Sequence, residues 1–360
     1  MWWKRVLMAA LATAFALLLG EAALRIADVH PGPYPPSLYE RDEDCVYRLS
    51  PGFRMQARGY TVQISEQGFR DRFYGEKPPG VTRILVLGDS YVFGQGCALD
   101  ETFTKVMERM GKGLEVINAG VGGYGTLNEL RLFRKYGLAL KPDIVILCFY
   151  EGNDLVDNLV FSLIRPRDER AGPLEERLFS HLRVYELLRC SLRIVRMKMN
   201  WLLGPEEQPL PGVTVPGGLD PTRENPMAQF VRRTGPKLDR AWTLTVNAIA
   251  ELHEVAKENR AKLVVVSVPA NFQVTTADWR EALPGGATYA EYYAPDVVTL
   301  RLGLTCADMG IPFLSLLRPF QQAAAKQRLY LRPDGHLNPA GHRLAAELIL
   351  TELRRWELVP

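Results

Sequence analysis

Four short polar clusters in this chain carry residue types that can do covalent chemistry together. Gly88-Asp89-Ser90 directly follows the apolar run Arg83–Leu87. A serine at a strand-to-helix turn exposes its hydroxyl and aims its backbone N–H at the same space, which suits a nucleophile that is also an oxyanion donor. Alone, the tripeptide reads equally as an ordinary turn with Ser90 as a helix cap. Asn118-Ala119-Gly120-Val121-Gly122-Gly123-Tyr124-Gly125 follows a second short strand, and its glycines let backbone approach a ligand closely, or simply make a tight turn. Glu151-Gly152-Asn153-Asp154 follows a third strand. There the Asn153 amide can point at a developing oxyanion, or close an Asx turn. Asp334-Gly335-His336-Leu337-Asn338-Pro339 places one of only five histidines two residues from an aspartate, in a loop before a helix. A loop histidine beside a carboxylate is a natural general base with its orienter.

The elements that must position these clusters alternate. Arg83–Leu87, Leu114–Ile117, Asp143–Phe149, Lys262–Val268 and Pro312–Leu316 read as strands, several of them unbroken apolar runs of the kind buried on both faces. Asp100–Met110, Thr126–Leu138, Leu238–Asn259, Asp296–Met309 and Pro339–Trp356 read as helices. Asp100 is a plausible N-cap, Thr126 opens its helix with Glu129 three residues on, and Asn338 caps the last helix behind Pro339. His342, inside that helix, reads as structural or capping. Alternation of strand and helix means a parallel sheet with helices on both faces, and active sites in such sheets form at the carboxyl ends of the strands. Residues 28–80 read as a linker and an arm packed on the main domain, 81–360 as that domain, and about 160–235 as an insertion that includes the amphipathic stretch Leu178–Leu203. That stretch suits a core-packing helix first, and otherwise a lid, an interfacial helix or a partner surface.

The four clusters, in the order Ser, Gly, Asn, Asp, His, resemble the GDSL/SGNH hydrolase family from about Arg83 to the C-terminus, with 160–235 unmatched. The resemblance implies a three-layer α/β/α, flavodoxin-like fold around a mostly parallel five-stranded sheet. It implies Ser90 as nucleophile, His336 as base and Asp334 as its partner. The Ser90 N–H, the Gly123 N–H and the Asn153 side chain would form the oxyanion hole, with Gly123 chosen by the family's spacing after the Asn of the second strand. No metal or organic cofactor would be needed. Glu66-Gln67-Gly68-Phe69-Arg70 looks like the arm of membrane-anchored bacterial members. Two departures stand out. Most members carry the acid three residues before the histidine, where this chain has Pro333, and the D-x-H spacing here is similar to members that move acetyl groups onto exopolysaccharides. Glu151 is also charged where it would border the oxyanion hole and bear on substrate choice. The implied activity is hydrolysis or transfer of an acyl, most naturally acetyl, ester of an envelope or extracellular carbohydrate.

Other readings compete. Gly120 to Gly125 satisfies G-x-G-x-x-G between strand and helix, with Glu151 available as a ribose acid, but this dinucleotide pattern normally follows the first strand and leaves Ser90 and His336 unexplained. A non-catalytic glycan-binding protein on the same fold would keep the cleft and lose turnover. The nucleophile elbow G-x-S-x-G of α/β-hydrolases is not matched, because Tyr91-Val92 follow Ser90. Composition is globular, with 47% hydrophobic and 24% charged residues, and a net charge of +3 without a basic stripe argues against nucleic acid. The five cysteines include no C-x-x-C pair, which argues against zinc, and a Cys45–Cys97 disulfide is conceivable outside the cytoplasm. Trp2-Trp3-Lys4-Arg5 ahead of an apolar run from Val6 to Gly20, prolonged through Ile26, reads as a membrane anchor over 1–27 or a cleaved signal; both place the remainder outside the cytoplasm.

Overall fold

Leucine- and valine-rich runs without polar alternation need cover on both faces, and the computed structural model of the chain gives it to them. Residues 2–26, 34–57, 59–163, 227–283, 293–332 and 334–360 are described. The described residues fall into two compact units, one holding 2–26 and 34–38, the other holding those from 39 onward. In the first, α1 (Trp2–Ile26) is an uninterrupted helix of 25 residues. At 1.5 Å per residue it is long enough, and at a mean hydropathy of 2.0 over an 18-residue window within Trp2–Leu24 apolar enough, to cross a membrane, a property that signal sequences share. Of the insertion expected at 160–235, only 160–163 and 227–235 are described, and Leu178–Leu203 lies outside the described residues.

The second unit is built on a five-stranded sheet of β5 (Thr82–Gly88), β6 (Leu114–Gly120), β7 (Ile144–Tyr150), β8 (Lys262–Val268) and β9 (Phe313–Ser315), in the order β6-β5-β7-β8-β9. Every pairing is parallel. Successive side chains alternate faces. Ile84 and Val86 share a core with Met107, Ile349 and Leu353, from α3 (Phe103–Met110) and α10 (Pro339–Arg355). Leu85 and Leu87 face the other way. There a Cβ on Gly137, in the π turn after α4 (Thr126–Leu132), would lie 2.7 Å from Leu85. Helices α4, α5 (Asp154–Leu163) and α6 (Pro236–Glu258) pack on one another, giving the expected three layers. Shorter helices α7 (Thr276–Ala282), α8 (Val297–Asp308) and α9 (Leu317–Ala324) follow β8 and β9. The chain leaves β5 for β6 on one side and then crosses to β7 on the other. That divergence opens a crevice at the carboxyl ends of β5 and β7, where this topology binds ligands.

The segment expected as an arm forms two antiparallel hairpins, β1 (Tyr39–Asp42) with β2 (Val46–Leu49) and β3 (Arg54–Ala57) with β4 (Tyr60–Gln63). Arg70, fully buried, then donates to the carbonyls of Phe93, Gly94 and Cys97 at 2.6, 2.8 and 2.7 Å. A buried guanidinium is tolerated when its donors are spent on carbonyls, and these bonds pin the chain just after Ser90 to the arm. Cys45 and Cys97 are both free and buried, so the conceivable disulfide is not formed. Cys97 instead donates its thiol to Leu337 O at 3.4 Å.

Two helix starts differ from expectation for one physical reason. Asp100 sits in a 3-10 turn, Leu99–Glu101, and α3 begins only at Phe103, whose N–H donates to His342 Nδ1 at 3.3 Å. Thr126 is already inside α4 behind a Gly125 cap, and Leu127 N donates to Asn158 Oδ1 of α5 at 2.9 Å. Glu129, expected as a capping partner, is buried, and neither of its carboxyl oxygens has a hydrogen-bond partner among the described residues. In each helix one orphan donor is satisfied by a side chain from another helix rather than by the expected local cap. Asn338 does cap α10, accepting from Gly341 N at 2.9 Å.

His342 must therefore stay neutral to accept. Burial, with the nearby charges of Arg70 and His336, pushes it down to about 3 from 6.5. Between those values the unfolded chain binds a proton that the folded chain refuses. This contribution to stability is present above about pH 6.5 and is lost as pH falls toward 3. His342→Gln keeps an acceptor without titrating, so its urea midpoint should fall less than that of the wild type between pH 7 and pH 5. Equal slopes would mean that His342 does not titrate as the packing requires.

Candidate active site

Ser90 opens α2 (Ser90–Phe93), a single turn directly after β5, with Asp89 as its N-cap accepting from Tyr91 N at 2.8 Å. The turn must lie tight against the sheet. A Cβ on Gly88 would fall 2.2 Å from Val92 Cγ2, and one on Gly120 would fall 2.1 Å from Phe93 N. Gly120 thus admits α2 rather than a ligand. Asn118, at the end of β6, holds α2 from below by donating to Val92 O at 2.7 Å.

The second half of the site comes from the loop before α10. Leu331 N donates to His336 O at 2.7 Å and Gly335 N to Leu331 O at 2.9 Å, closing the loop on itself. Gly335 sits at φ +84, which glycine adopts without strain. The Tyr91 hydroxyl donates to Gly335 O at 2.8 Å, and its ring stacks on Tyr150 at 3.9 Å, so the loop is fastened to the turn that carries Ser90. The outcome is a relay. His336 Nε2 lies 2.8 Å from Ser90 Oγ, and His336 Nδ1 contacts Asp334 Oδ1. With the ring proton on Nδ1 facing the carboxylate, Nε2 is the acceptor for the Ser90 hydroxyl. Gln95 Nε2 reaches both His336 Nδ1, at 3.3 Å, and Asp334 Oδ2, at 3.5 Å. The three residues meet although Ser90 and His336 are 246 positions apart.

Ser90 follows β5, between the turn after β6 and the turn after β7, so strand order brings Gly123 and Asn153 to either side of it. A Cβ on Gly122 would lie 4.0 Å from Ser90 Cβ, and Gly123 has φ +78. Asn153 precedes α5. Its Oδ1 is buried and accepts no hydrogen bond among the described residues, so the Asx-turn alternative fails. The backbone here is closed instead by Asp154, whose Oδ2 accepts from Tyr150 N, four residues back, at 2.8 Å.

Glu151 does not border the oxyanion site. It is fully buried, accepting from Gln273 Nε2 at 2.6 Å and from the hydroxyls of Ser267 and Thr299, and burial pushes its carboxyl up. It ties β7 to β8 and α8, and has no group left for a ribose. Gly125 of the G-x-G-x-x-G pattern faces Asn158 and Asp154, with Asn158 Oδ1 2.8 Å from its would-be Cβ, so that pattern serves helix packing. No group of three or more His, Cys, Asp or Glu suited to a metal ion exists among the described residues.

The motif reading assigns no role to Asp89, yet its Oδ2 lies 3.3 Å from Ser90 Oγ. Burial pushes it up to about 6, against the hydrogen bond from Tyr91 N and the charge of His336, which pull it down. A second carboxyl group therefore stands beside the Ser90 hydroxyl, as an alternative acceptor to His336 Nε2. Its adjacency to Ser90 is visible in the sequence; its complete burial is not.

Residues 86–344 match the family model described as GDSL-like Lipase/Acylhydrolase. No curated protein matches the chain. Among solved structures, a GDSL-like lipase from Bacteroides thetaiotaomicron is similar at 15% identity and TM-score 0.38, over 78% of this chain and 92% of that one. A member of the lipolytic G-D-S-L family from Veillonella parvula is similar at 11% identity and TM-score 0.41, over 76% and 100%. An acetylxylan esterase from Geobacillus stearothermophilus is similar at 12% identity and TM-score 0.39, over 77% and 96%.

Proposed function

The chain belongs to the GDSL-like lipase/acylhydrolase family and is an ester-hydrolysing enzyme, and we propose that it works through a Ser90–His336–Asp334 triad on an acyl ester, most naturally acetyl, of an envelope or extracellular carbohydrate. The observation that supports the triad is the contact of His336 Nε2 with Ser90 Oγ at 2.8 Å while Nδ1 engages Asp334.

Ser90 Oγ attacks the ester carbonyl carbon as its proton passes to His336 Nε2, and Asp334 stabilises the imidazolium that forms. The carbonyl oxygen becomes an oxyanion held by the N–H groups of Ser90 and Gly123 and by the Asn153 amide. Donors fixed in advance at that position are worth about 2.7–4 kcal/mol each in the barrier. The tetrahedral adduct collapses, the leaving alkoxide takes the proton from His336, and an acyl-Ser90 ester remains. Water or a sugar hydroxyl then attacks that ester as His336 takes its proton, and when the second tetrahedral adduct collapses His336 returns the proton to Ser90 Oγ, freeing the serine and releasing the acid or the acylated sugar.

The D-x-H spacing of Asp334 and His336 supports a sugar hydroxyl as acceptor, since it resembles members that acetylate exopolysaccharides. The apolar α1 supports an anchor for 1–27, with 28–80 as linker and arm and 81–360 as an extracytoplasmic catalytic domain.

The test uses the full chain in detergent micelles with p-nitrophenyl acetate and a fluorophosphonate label. The expected result is labelling of one serine and acetyl release that rises when an oligosaccharide is added, with acetylated sugar recovered by mass spectrometry. Release unaffected by any sugar, with free acetate the sole acetyl-bearing product beside p-nitrophenol, would leave hydrolysis and remove transfer.

A further inference from the structure

Gly122 and Gly123 share one peptide unit, whose carbonyl oxygen belongs to Gly122 and whose N–H belongs to Gly123. In a trans peptide these two groups point in opposite directions. The Tyr47 hydroxyl donates to that carbonyl oxygen at 2.9 Å. Tyr47 lies on β2 of the N-terminal arm, outside the 86–344 segment that the family model matches. We infer that Tyr47 is a positioning residue for the oxyanion hole: by holding the carbonyl side of the Gly122–Gly123 peptide, it aims and polarises the Gly123 N–H on the other side. This rests on the reading of Gly123 N–H as an oxyanion donor.

The peptide needs holding. Tyr124 N donates to Val121 O at 3.2 Å, so Val121 to Tyr124 form a hydrogen-bonded turn with the Gly122–Gly123 peptide at its centre. Gly123 at φ +78 has the conformation that the third residue of a type II turn requires. Type I and type II turns differ by a flip of this central peptide, and two successive glycines oppose that flip weakly. Flipped, the peptide would turn a carbonyl oxygen toward the place where negative charge develops. The bond from Tyr47 is available only in the unflipped form. A hydrogen bond accepted by the carbonyl also polarises the peptide and strengthens its N–H as a donor.

Tyr47 is itself immobilised. Its ring meets Tyr39 edge-on at 5.5 Å and Tyr124 at 5.2 Å. The Tyr124 hydroxyl donates to Tyr47 O, and Asn128 Nδ2 donates to Cys45 O at 2.9 Å, binding the hairpin to α4. A Cβ on Gly123 would lie 3.0 Å from the Tyr47 hydroxyl, so the contact leaves no slack. The arm thereby completes a site whose reacting residues all lie elsewhere.

Tyr47→Phe removes the hydroxyl and nothing else. Losing a direct oxyanion donor typically costs 10²–10³ in kcat, and weakening one that remains should cost roughly 10-fold. The expected result is that kcat on p-nitrophenyl acetate, per site titrated with fluorophosphonate, falls by that factor while KM stays within about twofold, because the substrate carbonyl carries little charge before attack. The inhibition constant of an alkylboronic acid, whose serine adduct carries a negative tetrahedral oxygen, should rise by the same factor. A merely structural Tyr47 would lower the melting temperature and leave kcat per titrated site and the boronate constant unchanged; that result would overturn the inference. Replacing Tyr47 with 3-fluorotyrosine keeps the shape and strengthens the donor, so kcat should hold or rise, and a tenfold loss there would overturn it too. Persistent turnover in Ser90→Ala would instead overturn the Ser90 reading, and this inference with it; the two failures are distinguishable because the Ser90 variant is measured with Tyr47 intact.

Discussion

Ser90→Ala is expected to lower kcat on p-nitrophenyl acetate by about 10⁴-fold or more and to abolish fluorophosphonate labelling, because loss of a triad nucleophile costs nearly as much as loss of the whole triad. The reason lies in the geometry around Oγ. His336 Nε2 is 2.8 Å away and has no other hydroxyl to deprotonate among its described partners. Without Oγ no acyl-enzyme forms, and water must attack the ester directly in a site shaped for a covalent intermediate. The Gly123 N–H and the Asn153 amide, the side donors of the proposed oxyanion hole, are untouched by the substitution, so a residual acceleration over solution should survive. Folding should survive as well, since Asp89 loses a weak contact at 3.3 Å but keeps its bond from Tyr91 N at 2.8 Å. Initial rates with circular dichroism on the same preparation check both halves. A folded variant with turnover within tenfold of the wild type would remove Ser90 from the mechanism.

The second large effect is expected at Asn153. Asn153→Ala should reduce kcat by about 10²–10³ with little change in KM, the usual consequence of losing one oxyanion donor. The residue is not needed for the local backbone. Asp157 N bonds the backbone carbonyl of Asn153 at 2.8 Å, and the carboxylate of Asp154 meets Tyr150 N at 2.8 Å. Its side-chain oxygen accepts nothing among the described residues, so truncation strands no buried donor. A purely structural asparagine would instead show lost stability with normal kcat. The decisive comparison is thus kcat against melting temperature in one variant.

Asn153 and Glu151 also show where pattern and fold part company. Both stand in one cluster after one strand, and spacing alone makes Glu151 as good a candidate for the site. Both residues lie beyond the end of β7, however, and there Glu151 turns inward to Ser267, Thr299 and Gln273 while Asn153 stands immediately before α5. The helix starts teach the same lesson. Asp100 and Thr126 are sound caps by residue type, yet Phe103 N and Leu127 N are met by His342 and Asn158. A side chain arriving from another helix satisfies the same orphan donors as a local cap, so nothing then holds the helix boundary at the local signal.

Features whose cause is local are readable from the order of residues. Apolar runs bury themselves, so the strands from Thr82–Gly88 to Phe313–Ser315 fall where the runs are, and alternation with helices requires a parallel sheet. Ser90 and His336 are readable because each sits at a short offset from its own strand or helix. The capping role of Asn338 is readable because Pro339 follows it. Features whose cause is distant are not readable. Tyr47 meets Gly122 across 75 residues, Asp89 shifts because the whole domain closes over it, and Gly120 is a packing glycine because Phe93 lies against it. Hydrogen-bond partners, burial and close approach depend on which surfaces the sheet order brings together. Chain spacing limits that order to a few arrangements, and packing of the whole domain selects one.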